Sequence, residues 1–306
     1  MNIVIVSNGP GLKDVVEKFG HSSEWIPNSI SDSSISYKVL KAYEGEICNV
    51  DNYDAFIITG SKYSVYDDSK WIYMLKDFIN SISNGDVIIF KLNIPAGKNL
   101  YEIKKILSES NLLNDCYDFK CLDNNFKFIE GTLKPDTYFY KYLTSSSKLL
   151  RQSQNEFFQL ASSLWPKKHL QSPLKNLSDA IILASIVEKE AGNEEEKPVI
   201  AGVFLHRLTL GMKLQADPTI IYGLLPNFKG DITKVNLQDK KNPYNTYQIK
   251  ALPPTPISTI SQSSLEAVIL GMKNDYLYFV AKGDGTHYFS KTYNEHLEAV
   301  KKYQLN

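Results

Sequence analysis

Cysteine, tryptophan and long apolar runs are scarce in this 306-residue sequence. Its three cysteines, Cys48, Cys116 and Cys121, contain no CxxC pair, so we expect neither a metal cluster nor a structural disulfide framework. The five histidines never fall at the i, i+4 spacing of a helical zinc site. No apolar run reaches the roughly 18 residues of a membrane helix, and residues 1–11 lack the basic start and apolar stretch of a signal peptide. Taken literally, the sequence predicts a soluble cytoplasmic chain.

Net charge is also absent, because 34 Lys and Arg balance 34 Asp and Glu. A dedicated nucleic-acid binder normally has a basic excess, so we expect no nucleic-acid partner. Apolar residues at 43% and charged residues at 22% are ordinary for a folded chain, and the length suggests about two domains. Tyrosine is abundant, with 19 residues, and suits a sugar or peptide groove. Biased base composition in the source genome explains this abundance equally well.

The first third of the chain alternates between apolar strands and amphipathic helices. Residues 3–6 and 55–59 are short apolar runs that end at turn residues, which is typical of strands. Residues 71–82 have apolar side chains at helical spacing. This alternation predicts a parallel βαβ arrangement. Residues 87–94 and 100–107 predict a further strand and a short helix, which together form a small βα module.

The remainder of the chain is predominantly helical. Helical patterns cover residues 144–165, 180–191, 199–210, 265–272 and 294–303. Ser178 is the expected N-cap of the helix that leads to residue 191. Residues 276–290 predict a β-hairpin around Gly283-Asp284-Gly285, whereas 214–223 and 242–256 are expected to be rich in loops.

Two glutamates end the most apolar of these helices. In residues 183–191 (LASIVEKEA), the helical period places Glu190 on the apolar face, and Glu188 points roughly the opposite way. A carboxyl that faces an apolar wall loses hydration, which raises its pKa and keeps it able to donate a proton. Glu190 is therefore the candidate acid. A frayed last turn, in which Glu190 pairs with Lys189 or Arg207, explains the pattern as well.

Several motifs resemble one family. They are ASIVEKEA (184–191), VFLHRLTLGMKLQADPTIIYG (203–223), YNTY (244–247) and LPPTPI (252–257). Together they closely resemble the YceG-like (MltG) family of endolytic murein transglycosylases. IPAGKNLYEIKKIL (94–107) is similar to that family's LysM-like module, and EGTLKPDTYFY (130–140) to the segment that follows it. The resemblance covers about residues 87–303, with one departure at His206, where the family usually has Asn.

The resemblance implies a lyase activity on peptidoglycan. The family cleaves the β-1,4 bond between N-acetylmuramic acid and N-acetylglucosamine, and the muramoyl C6 hydroxyl closes a 1,6-anhydro ring. Because no water adds, one carboxyl suffices as acid and then base, unlike the two carboxyls of most glycosidases. Lytic transglycosylases more broadly have a catalytic Glu followed by a small residue, which Glu190-Ala191 resembles. Glu190 is thus the implied catalytic residue, with Glu188 as the alternative.

The resemblance also implies substrate contacts from hydrogen-bonding and aromatic side chains in two motifs: Gln215, Asp217 and Thr219, and Tyr244, Asn245, Thr246 and Tyr247. Two structural alternatives remain open, in which Asp217 caps a helix starting at Pro218 and YNTY forms a turn after Pro243. Arg207 either supports the site by holding Asp217 or Glu188, or is a surface charge. LPPTPI is expected to form a rigid wall.

The amino end differs from the family, whose usual member begins with a membrane-spanning helix. Residues 1–83 instead resemble the opening of a class I glutamine amidotransferase, through the strand at 2–7 and YDAFIITGSKYSVYDDSKWI (53–72). That chemistry needs a Cys in a Gly-x-Cys-x-Gly turn, and Cys48 is not in one. We therefore expect no amidotransferase activity.

The predicted fold class is α+β, in a mixed multi-domain arrangement. Its parts are a truncated α/β segment (1–85), a LysM-like βα module with its connecting segment (86–143) and an α+β YceG-like catalytic core (144–306). The expected partners are peptidoglycan glycan strands and, by resemblance, the cell-wall synthesis machinery, with no metal and no cofactor. The resemblance implies an inner-membrane-associated protein facing the periplasm or cell wall, in conflict with the literal prediction. A catalytically silent peptidoglycan-binding protein is the alternative function.

Overall fold

The structure is a computed structural model that describes residues 1–9, 13–29, 34–46, 48–59, 70–84, 89–116, 118–141, 144–271 and 274–305. Its strands are β1 Asn2–Ser7, β2 Ser36–Lys41, β3 Ala55–Ile58, β4 Ile89–Ile94, β5 Asp136–Lys141, β6 Tyr278–Ala281 and β7 His287–Ser290. Its helices are α1 Lys13–Phe19, α2 Ser22–Ser29, α3 Lys70–Asn84, α4 Leu100–Ser108, α5 Ser146–Leu164, α6 Leu177–Glu190, α7 Lys197–Thr209, α8 Asp217–Gly223, α9 Lys234–Gln238, α10 Gln262–Leu270 and α11 Tyr293–Gln304. This mixture of helices and small sheets confirms the predicted α+β class.

One compact unit comprises residues 1–90 and 139–144. Strand β1 pairs in parallel with β2 on one side and β3 on the other, which confirms the parallel arrangement predicted from the alternating pattern. The central strand is apolar because both of its faces are covered, and Val4, Ile5 and Val6 are fully buried. Phe78 of α3 packs against this core. Residues 60–69, which carry half of the amidotransferase-like motif, lie outside the described residues.

The second unit comprises residues 91–138 and 145–306, and its core is helical. Helix α6 lies at its centre, where every side chain from Ala180 to Val187 is buried. A helix buried on all sides is apolar all round, so this one has no polar face before its last turn. The predicted N-cap was wrong. The helix begins one residue before Ser178, and the side chain of Asn176 accepts a hydrogen bond from the Asp179 N–H at 2.9 Å.

The predicted βα module forms from β4 and α4. Strand β4 pairs with β5, and α4 begins with a capping box between Asn99 and Glu102. The expectation about the cysteines was wrong in part, because a disulfide joins Cys116 to Cys121. Two successive turns bring these cysteines together, with the Cα atoms 5.7 Å apart. Cys48 is buried and free.

The carboxyl-terminal elements agree with their patterns, apart from one loop. Strands β6 and β7 pair in antiparallel register, Tyr278 opposite Ser290, as the predicted hairpin requires. Residues 217–223, expected to be loop-rich, form α8, because Pro218 in the first turn favours a helix start. The predicted end of the helix at residue 272 lies outside the described residues. Within the described chain, no helix combines the length and apolarity needed to cross a bilayer.

Candidate active site

Glu188 is enclosed in a hydrogen-bond network at the amino end of α10. Its Oε2 accepts hydrogen bonds from the Ser261 backbone N–H at 3.0 Å and from the hydroxyl groups of Ser261 and Ser264. Its Oε1 lies 3.5 Å from the ammonium of Lys197, and the Glu188 side chain is only 9% exposed. Both oxygens of this carboxylate therefore hold secondary-structure elements together.

The next residue, Lys189, attaches the βα module to the end of α6. Its Nζ donates to the Gly97 carbonyl at 3.2 Å. The backbone around Gly97 pairs with Thr259, through Gly97 N–H to Thr259 O at 3.0 Å and Thr259 N–H to Lys98 O at 2.8 Å. The turn in IPAGKN therefore lies against both the end of the helix and the segment that follows LPPTPI.

Glu190 is half-buried at the carboxyl end of α6 and faces a different set of groups. Burial raises its pKa to about 8, and the negative charge of Asp217 acts in the same direction. Arg207 opposes this rise, as does the Asp217 backbone N–H, which donates to the Glu190 carboxyl. This carboxyl is thus mostly protonated at neutral pH, and groups that stabilise its anion stand beside it.

Asp217 is held by the YNTY motif. The loop before it is fixed by the Gln215 N–H, which donates to Thr246 O at 3.2 Å, and by the Ala216 N–H, which donates to the Thr246 hydroxyl at 2.9 Å. The Asp217 carboxylate accepts a hydrogen bond from the Tyr247 hydroxyl at 2.8 Å. Asp217 therefore does not cap α8, whose N-cap is Ala216 without a side-chain bond.

Three of the predicted substrate contacts are fully buried: Thr219, Asn245 and Thr246. The hydroxyls of Thr219 and Thr246 lie 2.9 Å apart, and the Asn245 amide donates to the carbonyls of Asn236 and Asp239. The polar atoms of these side chains form hydrogen bonds inside the protein. Thr219 and Thr246 hold the loop that carries Gln215 and Asp217, which are exposed, and Asn245 holds the 236–239 segment.

The two tyrosines of YNTY are half-buried and belong to different clusters. Tyr247 lies in the Glu190 site, where burial, together with Asp217, raises the pKa of its hydroxyl and keeps it a donor. Tyr244 instead packs against Tyr222, with ring centroids 4.9 Å apart, and its hydroxyl lies 2.8 Å from that of Thr255. The structure thus places the two tyrosines of this four-residue motif in different clusters.

Arg207 is a buried cation and not a surface charge, with only 6% of the residue exposed. Its Nε donates to Leu277 O at 2.7 Å, and its Nη1 donates to Leu214 O at 2.6 Å. The guanidinium also lies over the Tyr278 ring, 5.3 Å from the centroid. These contacts hold the positive charge close enough to act on Glu190.

The pattern-based prediction missed Glu130, a carboxyl that is 4% exposed. Its Oε2 accepts from the Leu100 N–H at 3.1 Å and from the Tyr222 hydroxyl at 2.9 Å, and among the described residues its buried Oε1 has no partner. Burial raises the pKa of Glu130 to about 7. The sequence signal that points to it is its place as the first residue of the family-like motif EGTLKPDTYFY.

The structure therefore brings Glu190, Asp217, Arg207 and Tyr247 together and excludes Glu188 from their cluster. A half-buried carboxyl with a raised pKa, beside groups that stabilise its anion, can donate a proton and take one back. Within the described part of the chain, no group of three or more metal-ligating side chains accompanies it. The arrangement is therefore suited to acid–base chemistry, with Glu190 as the candidate proton donor.

Comparison with known protein families identifies the family of this chain. The model of the YceG-like family matches residues 31–302, so the chain belongs to that family. The match begins within residues 1–83, and the resemblance of that segment to glutamine amidotransferases is not supported.

Curated relatives share part of the chain. An endolytic murein transglycosylase of Bacillus subtilis is 34% identical over 179 residues, which are 57% of this chain and 48% of the relative. One of Streptococcus pneumoniae is 31% identical over 177 residues, which are 55% of this chain and 31% of the relative. The chain thus spans half or less of the length of these relatives. The crystal structure of a putative yceG-like protein from Listeria monocytogenes is 28% identical with a TM-score of 0.58, covering 73% of this chain and 80% of that one.

Proposed function

We propose that this protein is an endolytic murein transglycosylase, a lyase that cleaves the N-acetylmuramic acid–β-1,4–N-acetylglucosamine bond within peptidoglycan strands. The observation that carries the proposal is the state of Glu190, whose pKa is raised to about 8 beside Asp217 and Arg207. Membership of the YceG-like family and the names of the relatives support the substrate class.

In the first step Glu190 acts as the acid. At pH 7 a carboxyl with a pKa of about 8 is roughly nine-tenths protonated, so the proton needed by the departing O4 is present. As the bond between the muramoyl C1 and O4 breaks, the proton moves from Glu190 to O4. The carboxylate left behind is stabilised by the Arg207 charge and by the Asp217 N–H.

In the second step the same carboxylate acts as the base. It takes the proton of the muramoyl C6 hydroxyl while O6 forms a bond to C1 and closes the 1,6-anhydro ring. One C–O bond breaks and one forms, no water is consumed, and Glu190 ends protonated as it began. These two reaction steps therefore need no second carboxyl at the distance that glycosidases require.

The remaining site residues divide into two roles in this proposal. Gln215 and Asp217 are exposed beside Glu190 and are available to sugar hydroxyl and N-acetyl groups. Tyr244 and Tyr247 present half-buried rings to the glycan. Thr219 and Thr246 position the Gln215–Asp217 loop from within the fold, and Asn245 accepts a hydrogen bond from the Tyr247 N–H and joins it to the 236–239 segment.

The test is a matched pair of variants incubated with purified peptidoglycan, with mass-spectrometric counting of 1,6-anhydro ends. Glu190→Gln keeps the shape of the side chain but has no acidic proton, and we expect it to lower product formation by 10³-fold or more, on the order seen for essential acid–base groups. Glu188→Gln retains an amide oxygen for Ser261 and Ser264 and should keep activity within about tenfold. If Glu188→Gln loses the release of anhydro ends and Glu190→Gln retains it, the catalytic role belongs to Glu188.

The parent protein itself tests the alternative of a silent binding module. Sedimentation with insoluble peptidoglycan, together with the absence of anhydro ends, would identify a binder that does not cut. We also propose, by family membership, that the protein acts at the membrane face next to the cell wall, beside the wall-synthesis machinery. Cell fractionation and crosslinking in intact cells test this, and recovery in the cytosolic fraction alone would contradict it.

A further inference from the structure

The loop that follows Glu190 is tied to the β6–β7 hairpin by two residues that the sequence did not single out. Glu196 immediately precedes α7, and His287 is the first residue of β7. The His287 backbone N–H donates to Glu196 Oε1 at 2.7 Å, and His287 Nδ1 lies 2.7 Å from Glu196 Oε2. Both side chains are 12% exposed. A carboxylate that binds both a backbone and a ring donor fixes the two segments in one register.

A second contact reinforces this connection at its catalytic end. Gly192 lies two residues after Glu190, and its backbone touches the turn of the hairpin at Gly285. A Cβ added at Gly192 would lie 2.1 Å from the Gly285 carbonyl oxygen, so no side chain fits there. The segment between Glu190 and α7 is therefore held against the hairpin at both of its ends.

The same hairpin holds the cation of the site. Leu277, just before β6, accepts the Arg207 Nε–H at 2.7 Å, and the Tyr278 ring lies under the guanidinium. The β6–β7 hairpin thus holds both Arg207 and the loop that follows Glu190. If the hairpin moves relative to the loop, the distance between Glu190 and Arg207 changes.

We propose that Glu196 and His287 form a positioning pair for the catalytic carboxyl, locking the hairpin to the loop so that Glu190 and Arg207 keep their separation. The pair does not touch the reacting atoms, and its effect on catalysis rests on the proposed function of Glu190. A carboxylate oxygen accepts, so His287 Nδ1 is the donor in this contact.

The experiment measures the Glu190 carboxyl directly, because its titration reports on its neighbours whether or not the enzyme turns over. Carbon-13 NMR titration of full-length protein gives the Glu190 pKa, and steady-state assays on glycan strands give kcat and KM. The charged and titratable groups that face Glu190 are Asp217, Arg207 and Tyr247, which none of the variants alters. In His287→Ala, we expect the Glu190 pKa to shift by about half a unit or more. We expect kcat to fall roughly tenfold or more, with KM within about twofold.

His287→Asn supplies the rescue, because the Asn amide N–H reaches the position of Nδ1. It should restore kcat to within about threefold of the parent. Glu196→Ala removes the two carboxylate oxygens that accept from His287. It keeps the proposal testable if His287→Ala does not fold. Its matched control is Glu195→Ala, an exposed carboxylate one residue earlier, which should leave kcat and the Glu190 titration unchanged.

The outcomes separate this inference from the proposed function. An unchanged Glu190 titration and kcat in His287→Ala and Glu196→Ala, with only a lower free energy of unfolding, would show a merely structural role and overturn the inference. If the Glu190 titration shifts in His287→Ala and Glu196→Ala while the parent protein releases no anhydro ends, the positioning pair is supported and the lyase activity is rejected. Failure of His287→Asn to rescue also contradicts the proposal.

Discussion

Glu188 and Glu190, two residues apart on α6, place their carboxyl groups in separate environments. Glu188 is bound by two serines at the start of α10 and by Lys197 at the start of α7, and Glu190 faces Asp217 and Arg207. Positions two apart on a helix differ by about 200°, so the two carboxyls face different parts of the fold.

The first prediction concerns stability. Glu188→Ala removes the acceptor of the Ser261 and Ser264 hydroxyls and leaves Lys197, itself buried, with one carboxylate partner fewer. We expect the free energy of unfolding in urea to fall by about 2–4 kcal/mol. Glu195→Ala, at an exposed site, should change it by less than about 0.5 kcal/mol. Equal losses in both variants would mean that the Glu188 network contributes little.

The second prediction concerns the pH dependence of activity. Asp217 raises the pKa of Glu190, and Asp217→Asn keeps an oxygen that can accept the Tyr247 hydroxyl. Losing the negative charge lowers the Glu190 pKa. Because the first step needs protonated Glu190, activity declines as pH rises through about 8 in the parent, and this basic limb should move to lower pH in the variant. A pH–kcat profile measures it, and a limb that stays in place contradicts the assignment of Asp217 as the neighbour of the acid.

The third prediction concerns the pH dependence of stability. The pKa of Glu130 is about 7 in the folded protein against an ordinary value of 4.5, so the folded state holds a proton that the unfolded chain releases. Stability therefore falls as pH rises from 4.5 to 7, by on the order of 3 kcal/mol from this group. Glu130→Gln mimics the protonated form and should flatten this slope in urea titrations at pH 5 to 8. Glu190 contributes a slope of the same sign in both proteins, so the comparison isolates Glu130. Parallel slopes would refute the prediction.

The fourth prediction separates backbone strain from steric conflict at two glycines. Gly131 has a φ of +74°, and a Cβ there would lie 2.6 Å from the Pro256 Cβ. Gly211 has a φ of +65° with no atom within 4 Å of such a Cβ. Gly211→Ala should cost about 1 kcal/mol of stability, and Gly131→Ala about 1–3 kcal/mol more. Thermal unfolding of the two variants gives the difference, which should vanish if the LPPTPI segment can shift freely.

Local pattern predicted much of the fold. Apolar runs and helical periodicity are properties of neighbouring residues, and they identified the parallel strands β1 and β3, the β-hairpin and the course of α6, but not strand β2. Two secondary-structure predictions were wrong where neighbouring residues favour different local structures. Asn176 and Ser178 are both good caps, and Pro218 turned an expected loop into a helix.

What the sequence by itself determined is that the candidate acid lies at the end of α6, where the motifs favour Glu190 and leave Glu188 as the alternative. Only the tertiary structure decided the environment of each polar group. Glu188 meets Ser261 across 73 positions, Glu130 meets Tyr222 across 92, and His287 meets Glu196 across 91. Hydration and electrostatic interaction depend on distance in space, and burial by remote segments sets the pKa of a carboxyl. No local pattern contains those distances.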